Sequence, residues 1–565
     1  RTLNPDELKK VSGDVFGRIY EYFLTQFADQ KAHDGGEFFT PISLVSLIAH
    51  VIDPQGGTVL DPACGSGGMF VQSARIVEEH GQSPTEKLTF YGLEKNATTI
   101  RLAKMNLAVH GLEGDIQKAI TYYEDPHELV GKADYVMANP PFNVDEIDAD
   151  KIKSDPRLPF GLPGVNKKDK VSNGNYVWIS YFYSYLSERG RAGFVMSSQA
   201  SSAGRDEAKV RQKLVETGDV DAMIAIRSNF FYTRTVPCEL WFLNRAKPQA
   251  HRDKVLMIDA RNIYRKVTRK IYDFSPEQEK NILAIVRLYR GENHKFFETV
   301  AEHLDRAVFS GFACFLYEDE SRTCEPMPDF LAAQDRLHGL IQPFMESLGE
   351  ETPQAELFGE YVEARENVRS GIAAFDLSRS EAVKHWNQIN SETMADLLGF
   401  QNRFAAPLAE QSRDLIKELD LLYKLACRVI ETCENDCDAR DGDVWEYREI
   451  NRARKAVDET RQFAVEQLKL VRYFWKQAHW LTERFPEAKL RDVEGLVRLV
   501  DHKEIEANDW SLTPGRYVGV APEEVDEDFD FEEALREIHV ELEDLNAEAV
   551  TLAAAIKKNF EELGV

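Results

Sequence analysis

Thr58-Val59-Leu60-Asp61-Pro62-Ala63-Cys64-Gly65-Ser66-Gly67-Gly68-Met69 is the stretch that decides the fold. A short β-favouring run ends on a carboxylate, small and glycine residues follow, and an apolar run over residues 69–80 begins at once and stops at Gly81. Strand, glycine-rich turn and helix in immediate succession form the unit from which parallel α/β sheets are built. Glycines in such a turn let the backbone bend sharply and approach a ligand, because no Cβ intrudes. The turn lacks the Gly-Lys-Ser/Thr ending that neutralises a triphosphate, and Asp61 at its edge would repel phosphates. A ligand without phosphates, carrying positive charge, fits better.

Outward from the turn, short apolar runs alternate with helical ones. Residues 88–93, 133–138, 194–196, 223–226 and 237–243 read as buried strands, and 176–188 reads as a helix stopped by Gly190. The alternation predicts an α/β fold with a Rossmann-like, doubly wound sheet and helical flanking regions. Upstream, Leu8, Val11, Val15, Ile19, Phe23 and Phe27 line one face of a helix. Beyond about residue 330 the strand signal fades, and 412–434 and 457–484 are rich in helix formers without Gly or Pro. Phe531, Leu535, Ile538, Leu542, Leu545, Ala549, Leu552 and Ile556 then follow a 4,3,4,3 spacing, the seam of a coiled-coil-like helix over 529–563. That helix suits either a partner or its own domain. The expected divisions are a helical lead-in (1–35), a core (36–250), an α/β extension (251–330), a mainly helical region (331–500) and a tail with the docking helix (501–565). The chain opens without methionine, and a helical domain upstream of it is expected outside this sequence.

Length allows several folding units: the chain has 565 residues, 43% of them hydrophobic and 29% charged. No stretch nears the ~20 consecutive apolar residues of a membrane span. Seven cysteines, sparse and odd in number, do not form a secreted disulfide framework, which suggests a reducing, cytoplasmic setting. The net charge of −27 is unevenly spread: residues 1–150 carry −11, residues 151–300 carry +11 and residues 301–565 carry −27. A positive middle segment is compatible with phosphate contact, whereas the acidic second half would repel nucleic acid. The plainer alternative is that these blocks solvate surfaces.

Two further sites sharpen the chemistry. The second strand ends at Glu94, where a carboxylate at a strand's C-terminal edge can accept both hydroxyls of a ribose. Together with the glycine-rich turn this describes a nucleoside with a cationic tail, S-adenosyl-L-methionine. The strand over 133–138 then runs straight into Asn139-Pro140-Pro141-Phe142. Two prolines end the strand and stiffen the turn. The Asn139 side-chain oxygen and the Pro140 carbonyl can both accept hydrogen bonds from one NH2 group, while Phe142 offers its face to the ring that bears it. Such an amine is a poor nucleophile until two acceptors favour a pyramidal nitrogen. The cofactor's methyl is the matching electrophile.

Glu37-Phe38-Phe39-Thr40-Pro41, the 61–68 turn, Glu94 and the 139–142 turn, in that order, resemble the N6-adenine DNA methyltransferases. Residues 18–22 leading into Gly36, and the late Ser511-Leu512-Thr513-Pro514-Gly515-Arg516-Tyr517-Val518, look like the modification subunit of type I restriction-modification systems. The resemblance implies that Glu37, Phe38, Phe39, Thr40, Pro41 and Ile42, with Asp61, Gly65, Ser66 and Gly67, line the cofactor. It implies that Glu94 holds the ribose and that Asn139, Pro140, Pro141 and Phe142 hold a target adenine flipped out of double-stranded DNA. A second stacking aromatic is expected at Phe230 or Phe231, either of which suits the core equally. Family members often carry an acidic residue after the third strand, and residues 117–122 offer none.

Implied partners are a specificity subunit, a second modification subunit and, left open, a nuclease or translocase subunit. Nothing in the chain reads as a sequence-recognising module. Lys151, Lys153, Arg157, Lys167, Lys168 and Lys170 follow the 139–142 turn closely, in a polar segment suited to DNA phosphates or to simple disorder. Cys433 and Cys437 sit four apart with no second pair at ligand spacing, so no metal is expected. The alternatives are methylation of another planar amine or amide, such as protein glutamine or an RNA base, and a non-catalytic methyltransferase-like scaffold.

Overall fold

Nine strands form one mixed sheet: β1 (Gly57–Asp61), β2 (Leu88–Glu94), β3 (Gly114–Lys118), β4 (Ala133–Ala138), β5 (Leu186–Ser197), β6 (Val220–Ile226), β7 (Cys238–Asn244), β8 (Lys254–Asp259) and β9 (Val497–Asp501). The order across it is β9-β8-β6-β7-β5-β4-β1-β2-β3. Strands β3, β2, β1, β4 and β5 run parallel; β7 lies antiparallel between β5 and β6, and β9 lies antiparallel on the edge of β8. All seven residues of β6 and of β7 are buried, which explains why both strands are mostly apolar without alternation; Asp221, Glu239 and Asn244 are buried with the rest. Helices α1 (Ile42–Ile52), α2 (Gly68–Glu79), α3 (Ala97–Val109), α4 (Asn175–Tyr185) and α5 (Arg205–Glu216) connect or flank the strands. From β1 the chain builds outward through β2 and β3 and then crosses to β4, so the strand order reverses between β1 and β4. Open α/β sheets bind ligands at such a switch point, beyond the carboxyl ends of the strands.

The computed structural model describes residues 40–231, 237–268, 271–319, 322–348, 354–389, 391–442, 444–521 and twelve positions between 535 and 557. The helix expected over 6–30 lies outside them. The described residues divide into two compact units, one built from the chain up to Ser275 and from Asp492 onward, the other from Pro276–Arg491. Beyond residue 250, β8 joins the same sheet, and an exposed two-stranded hairpin (Arg265–Thr268 with Ile271–Asp273) closes the first stretch. The division expected at residue 330 moves back to Pro276, which opens a helix with Glu277 and Glu279 in its first turn, where carboxylates suit the helix dipole. The division expected at 500/501 falls inside β9. Val500 and, further on, Leu512, Tyr517 and Val518 are buried in the same core cluster as Leu60, Val136, Phe194 and Trp241.

One helix is shorter than expected. Instead of running to residue 188, α4 ends at Tyr185, because Leu186 pairs with Ala133 and Arg191 with Tyr135, leaving residues 187–190 as a bulge in β5. The second unit is built on α6 (Pro276–Tyr289), α7 (Asn293–Ala313), α8 (Pro326–Leu348), α9 (Ala355–Trp386), α10 (Ala406–Asn435) and α11 (Tyr447–Arg484). Its core holds a buried polar relay: His303 Nε2 meets Asn281 Oδ1 at 3.0 Å, and Asn281 Nδ2 donates to Gln477 Oε1 at 2.9 Å. Burial pushes His303 down to about 4, so the imidazole is neutral at physiological pH. Leu535, Ile538, Leu542, Ala549, Leu552 and Ile556 of the terminal seam are helical and exposed. Among the described residues no helix is long and apolar enough to cross a membrane, and no group of His, Cys, Asp and Glu could hold a metal ion.

Candidate active site

At the carboxyl end of β1, the glycine-rich turn is held by its own backbone and by three neighbours. Gly65 and Gly67 have φ of 52° and 81°, the left-handed region that favours glycine. Cys64 N–H donates to Leu93 C=O at 3.0 Å, Asn106 Nδ2 to Ser66 C=O at 2.9 Å, and Thr121 Oγ1 to Pro62 C=O at 2.6 Å. Asp61 is buried, and burial, with a smaller contribution from the nearby Glu94 charge, raises its carboxyl to about 8 despite a hydrogen bond from Ala63 N–H. Burial also drives the Cys64 thiol up, so it is an inert packing group. Glu94 ends β2 and accepts Asn96 N–H at 2.8 Å. Beside it, Ala119 N–H donates to Glu94 C=O, and the next residue, Ile120, is half exposed. Two carboxylates at adjoining strand ends, one of them buried and short of countercharge, are donors suited to a cation. An apolar side chain stands next to them.

The carboxyl end of β4 carries the second half of the site. Asn139 Nδ2 donates to Thr40 Oγ1 at 2.7 Å, while Asn139 Oδ1 is buried and has no hydrogen-bond partner among the described residues. An unpaired buried acceptor is costly, on the order of 1–3 kcal/mol, and its persistence marks a place for a donor. Phe142 is half-buried, with the Phe231 ring edge-on to it at 6.3 Å and 78°. Phe230 turns the other way, into the core, and packs on Phe274 at 4.7 Å. Of the two expected aromatics, only Phe231 reaches the turn.

The turn is clamped from the start of α4. Asn143, with φ of 57°, donates its N–H to Asn175 Oδ1 at 2.8 Å, and its own Oδ1 accepts from Asn175 Nδ2 at 2.9 Å and Asn173 Nδ2 at 3.2 Å. Gly174 N–H donates to Val144 C=O; a Cβ on Gly174 would lie 2.7 Å from the Ile147 side chain and 2.9 Å from the Tyr122 hydroxyl, so any other residue would displace them. Two residues on, Tyr176 donates its hydroxyl to Ala200 C=O at 2.5 Å and accepts from the buried Arg211 at 3.1 Å. Arg211 also donates to the carbonyls of Ala203, Asp509 and Trp510. The motif at 511–518 is tied in at the same place: Leu512 N–H donates to Ser201 C=O, and the Thr513 and Ser201 hydroxyls lie 2.7 Å apart. The return of the chain to the first unit therefore buttresses the helix that clamps the turn.

The N-6 DNA Methylase family matches residues 11–305. The chain belongs to this family. Among similar proteins, a type I restriction enzyme MjaIX methylase subunit of Methanocaldococcus jannaschii is 42% identical over 280 residues, covering 49% of each chain. The HindI methylase subunit of Haemophilus influenzae is 34% identical over 278 residues, covering 49% of this chain and 61% of that one. The chain thus spans about half to three fifths of the length of the curated relatives it matches. A solved type I methyltransferase subunit from Streptococcus thermophilus is 26% identical, with a TM-score of 0.43 and coverage of 49% of this chain and 58% of that one.

Of the residues expected to form the site, Thr40, Asp61, Gly65, Ser66, Gly67, Glu94, Asn139, Pro140, Pro141, Phe142 and Phe231 lie at the carboxyl ends of β1, β2, β4 and β6 or are tied to them. Glu37, Phe38 and Phe39 lie outside the described residues. Pro41 is buried at the start of α1, and Ile42 is half exposed in its first turn. The segment after the turn is folded, with a hairpin pairing Ile147–Asp148 with Lys170–Val171. Arg157, buried, anchors it through Asp155, Thr121 C=O, Glu124 C=O and the Tyr185 hydroxyl. Lys151 and Lys170 pair with Asp148, and Lys153 with Asp150; Lys167 and Lys168 have no ion pair among the described residues. Sequence reasoning missed Asn175, Arg211 and Ile120, and it grouped Arg157 with the lysines that could face DNA phosphates, whereas Arg157 is buried and its guanidinium is taken up by Asp155, two carbonyls and Tyr185. A polar residue opening an otherwise apolar helix was the one signal pointing to Asn175.

Proposed function

We propose that this chain is the modification subunit of a type I restriction-modification complex. It transfers a methyl group from S-adenosyl-L-methionine to N6 of an adenine turned out of double-stranded DNA. A separate specificity subunit supplies target choice, and a second modification subunit and a nuclease or translocase subunit complete the assembly. The observation that carries this reading is the buried Asn139 Oδ1, without a hydrogen-bond partner among the described residues, on the turn that also carries Phe142, with Phe231 edge-on to that ring. Family membership and the similarity to methylase subunits of type I enzymes support it.

The residues present fit the cofactor. Asp61 and Glu94 would hold the cationic tail and the ribose, the 65–67 backbone would pass beneath, and Ile120 would lie against the base. When bound, the cofactor supplies an electrophilic methyl. With Asn139 Nδ2 donating to Thr40 Oγ1, Oδ1 is the end of the amide left to meet the target. Asn139 Oδ1 and Pro140 C=O would accept the two amine hydrogens and draw the nitrogen toward a pyramidal shape, its lone pair directed at the methyl. Phe142 and Phe231 would hold the adenine ring in place of its stacked neighbours. Catalysis is then orientation and electrostatics, without a general base in the first step, and the surplus proton leaves to water.

The test is transfer of labelled methyl to unmethylated genomic DNA from a foreign host, with and without the co-purifying specificity subunit, followed by nucleoside analysis. N6-methyladenine formed only in the presence of the partner supports the reading. Label in protein or RNA, with none in DNA, overturns it in favour of another planar amide or amine.

A further inference from the structure

Arg227 leaves the carboxyl end of β6, four residues before Phe231, at the same edge of the sheet as the Asn139 turn. Its guanidinium sits over two tyrosine rings, 4.4 Å from the centroid of Tyr264 and 4.9 Å from that of Tyr272. Tyr264 immediately precedes the exposed hairpin and Tyr272 lies in its second strand, and the two rings meet edge-on at 5.0 Å. Tyr272 N–H donates to Asn229 C=O, so the hairpin is bonded directly to the loop that carries Phe230 and Phe231. Arg227 is half-buried and has no carboxylate partner among the described residues. Arg265 on the hairpin is satisfied by Asp273 at 2.7 Å, but Lys266 is exposed and has no ion pair among the described residues. The sequence over 264–272, Tyr-Arg-Lys-Val-Thr-Arg-Lys-Ile-Tyr, carries four cations and no acid in a chain of net charge −27.

Cation–π contact fixes a guanidinium plane without consuming its N–H donors, which leaves a pre-oriented fork. Such a fork matches the two oxygens of a phosphate, and Arg227 stands four residues from the aromatic that faces the target turn. A base drawn toward Phe231 brings its own backbone phosphates with it. We infer that Arg227, held by Tyr264 and Tyr272, and Lys266 form a phosphate-binding site for the DNA strand that carries the flipped base. The contrast with Lys151, Lys153 and Lys170 favours this placement, since those lysines already answer carboxylates in their own segment. The inference rests on the DNA reading above, but its test reads binding rather than methylation.

The full chain, as purified with its specificity subunit, is titrated with a fluorescent duplex by anisotropy between 50 and 200 mM salt, for the parent, Arg227→Met, Lys266→Met and Arg227→Lys. Phosphate contacts are independent of sequence, so any duplex serves. Arg227→Met and Lys266→Met are each expected to lower the log–log salt slope by about one and to weaken binding roughly five- to tenfold at 0.1 M salt. Arg227→Lys keeps the charge and is expected to retain the slope while losing part of the affinity. Binding of S-adenosyl-L-methionine, measured by calorimetry, should be the parent's in all three variants. Parental slope and affinity in both Met variants would overturn the inference; Lys266 is exposed, so loss of folding cannot mask that result. Failure of the parent to methylate DNA is a separate outcome, seen in the nucleoside assay, and counts against the DNA reading alone.

Discussion

The two halves of the site are built differently. At the β1–β2 end, the Asp61 turn and Glu94 belong to a strand–turn–helix–strand run contiguous in sequence, held largely by backbone. At the β4–β6 end, the Asn139 turn takes its shape from Asn173–Asn175, its ring partner from Phe231, and its rear support from Arg211 and the 509–513 return. On the proposed function, the cofactor would be met by local, rigid backbone, and a flipped target by side chains gathered from four segments.

If the halves are independent, damage to one should leave the other's ligand untouched. For the cofactor half, the largest effect is expected at Asp61. Asp61→Asn removes a buried carboxylate facing a cation and should weaken cofactor binding by about 3 kcal/mol, roughly 100-fold. In the parent, Asp61 is protonated below about pH 8 when the site is free and ionised when a cation is bound. Binding therefore releases a proton, and calorimetry should find affinity rising toward pH 8 by up to about tenfold per pH unit, a dependence the Asn variant loses. The sign for stability is the reverse: with its folded value raised, Asp61 contributes stability below pH 4 that is lost as pH rises through 8. The Asn variant should accordingly melt above the ligand-free parent at pH 8.5.

Next in size, Asn175→Ala should slow methyl transfer on the order of 10- to 100-fold by releasing the 139–143 turn, with cofactor affinity unchanged in the same preparation. A parallel loss of cofactor affinity would show that the halves are not separable. Phe231→Ala should weaken capture of the flipped base by about 1–3 kcal/mol, read as lost 2-aminopurine fluorescence change on binding. Phe230→Ala should instead lower stability by about 3–5 kcal/mol, because that ring is core. Smallest of all, Lys153→Ala should leave the thermal unfolding midpoint where it is in the parent, since its pair with Asp150 is exposed.

The same contrast explains what could be read from the sequence. The Asp61 turn, Glu94 and Asn139 were legible because strand, turn and helix follow one another and each residue type has a chemical reason at its position. Phe231 could not be told from Phe230, because neighbouring aromatics after a buried strand differ only in the direction the chain turns. Asn175 and Arg211 act across 32 and about 300 residues, a separation that leaves no local pattern. Strand β9 escaped notice because it is five residues long, carries a charge at Arg498 and pairs on one side only. Helix α4 read too long because Leu186, apolar and in phase with the helix, already belongs to β5.

The most direct measurement of the division between the halves pairs single-turnover methyl transfer with cofactor calorimetry on Asn139→Ala in the full chain with its specificity subunit. Transfer should fall by roughly 10³-fold, the scale for removing an electrostatic contact made in the transition state, with cofactor affinity within twofold of the parent. Methylation at near-parental rate, or cofactor affinity lost in step with transfer, would contradict the account.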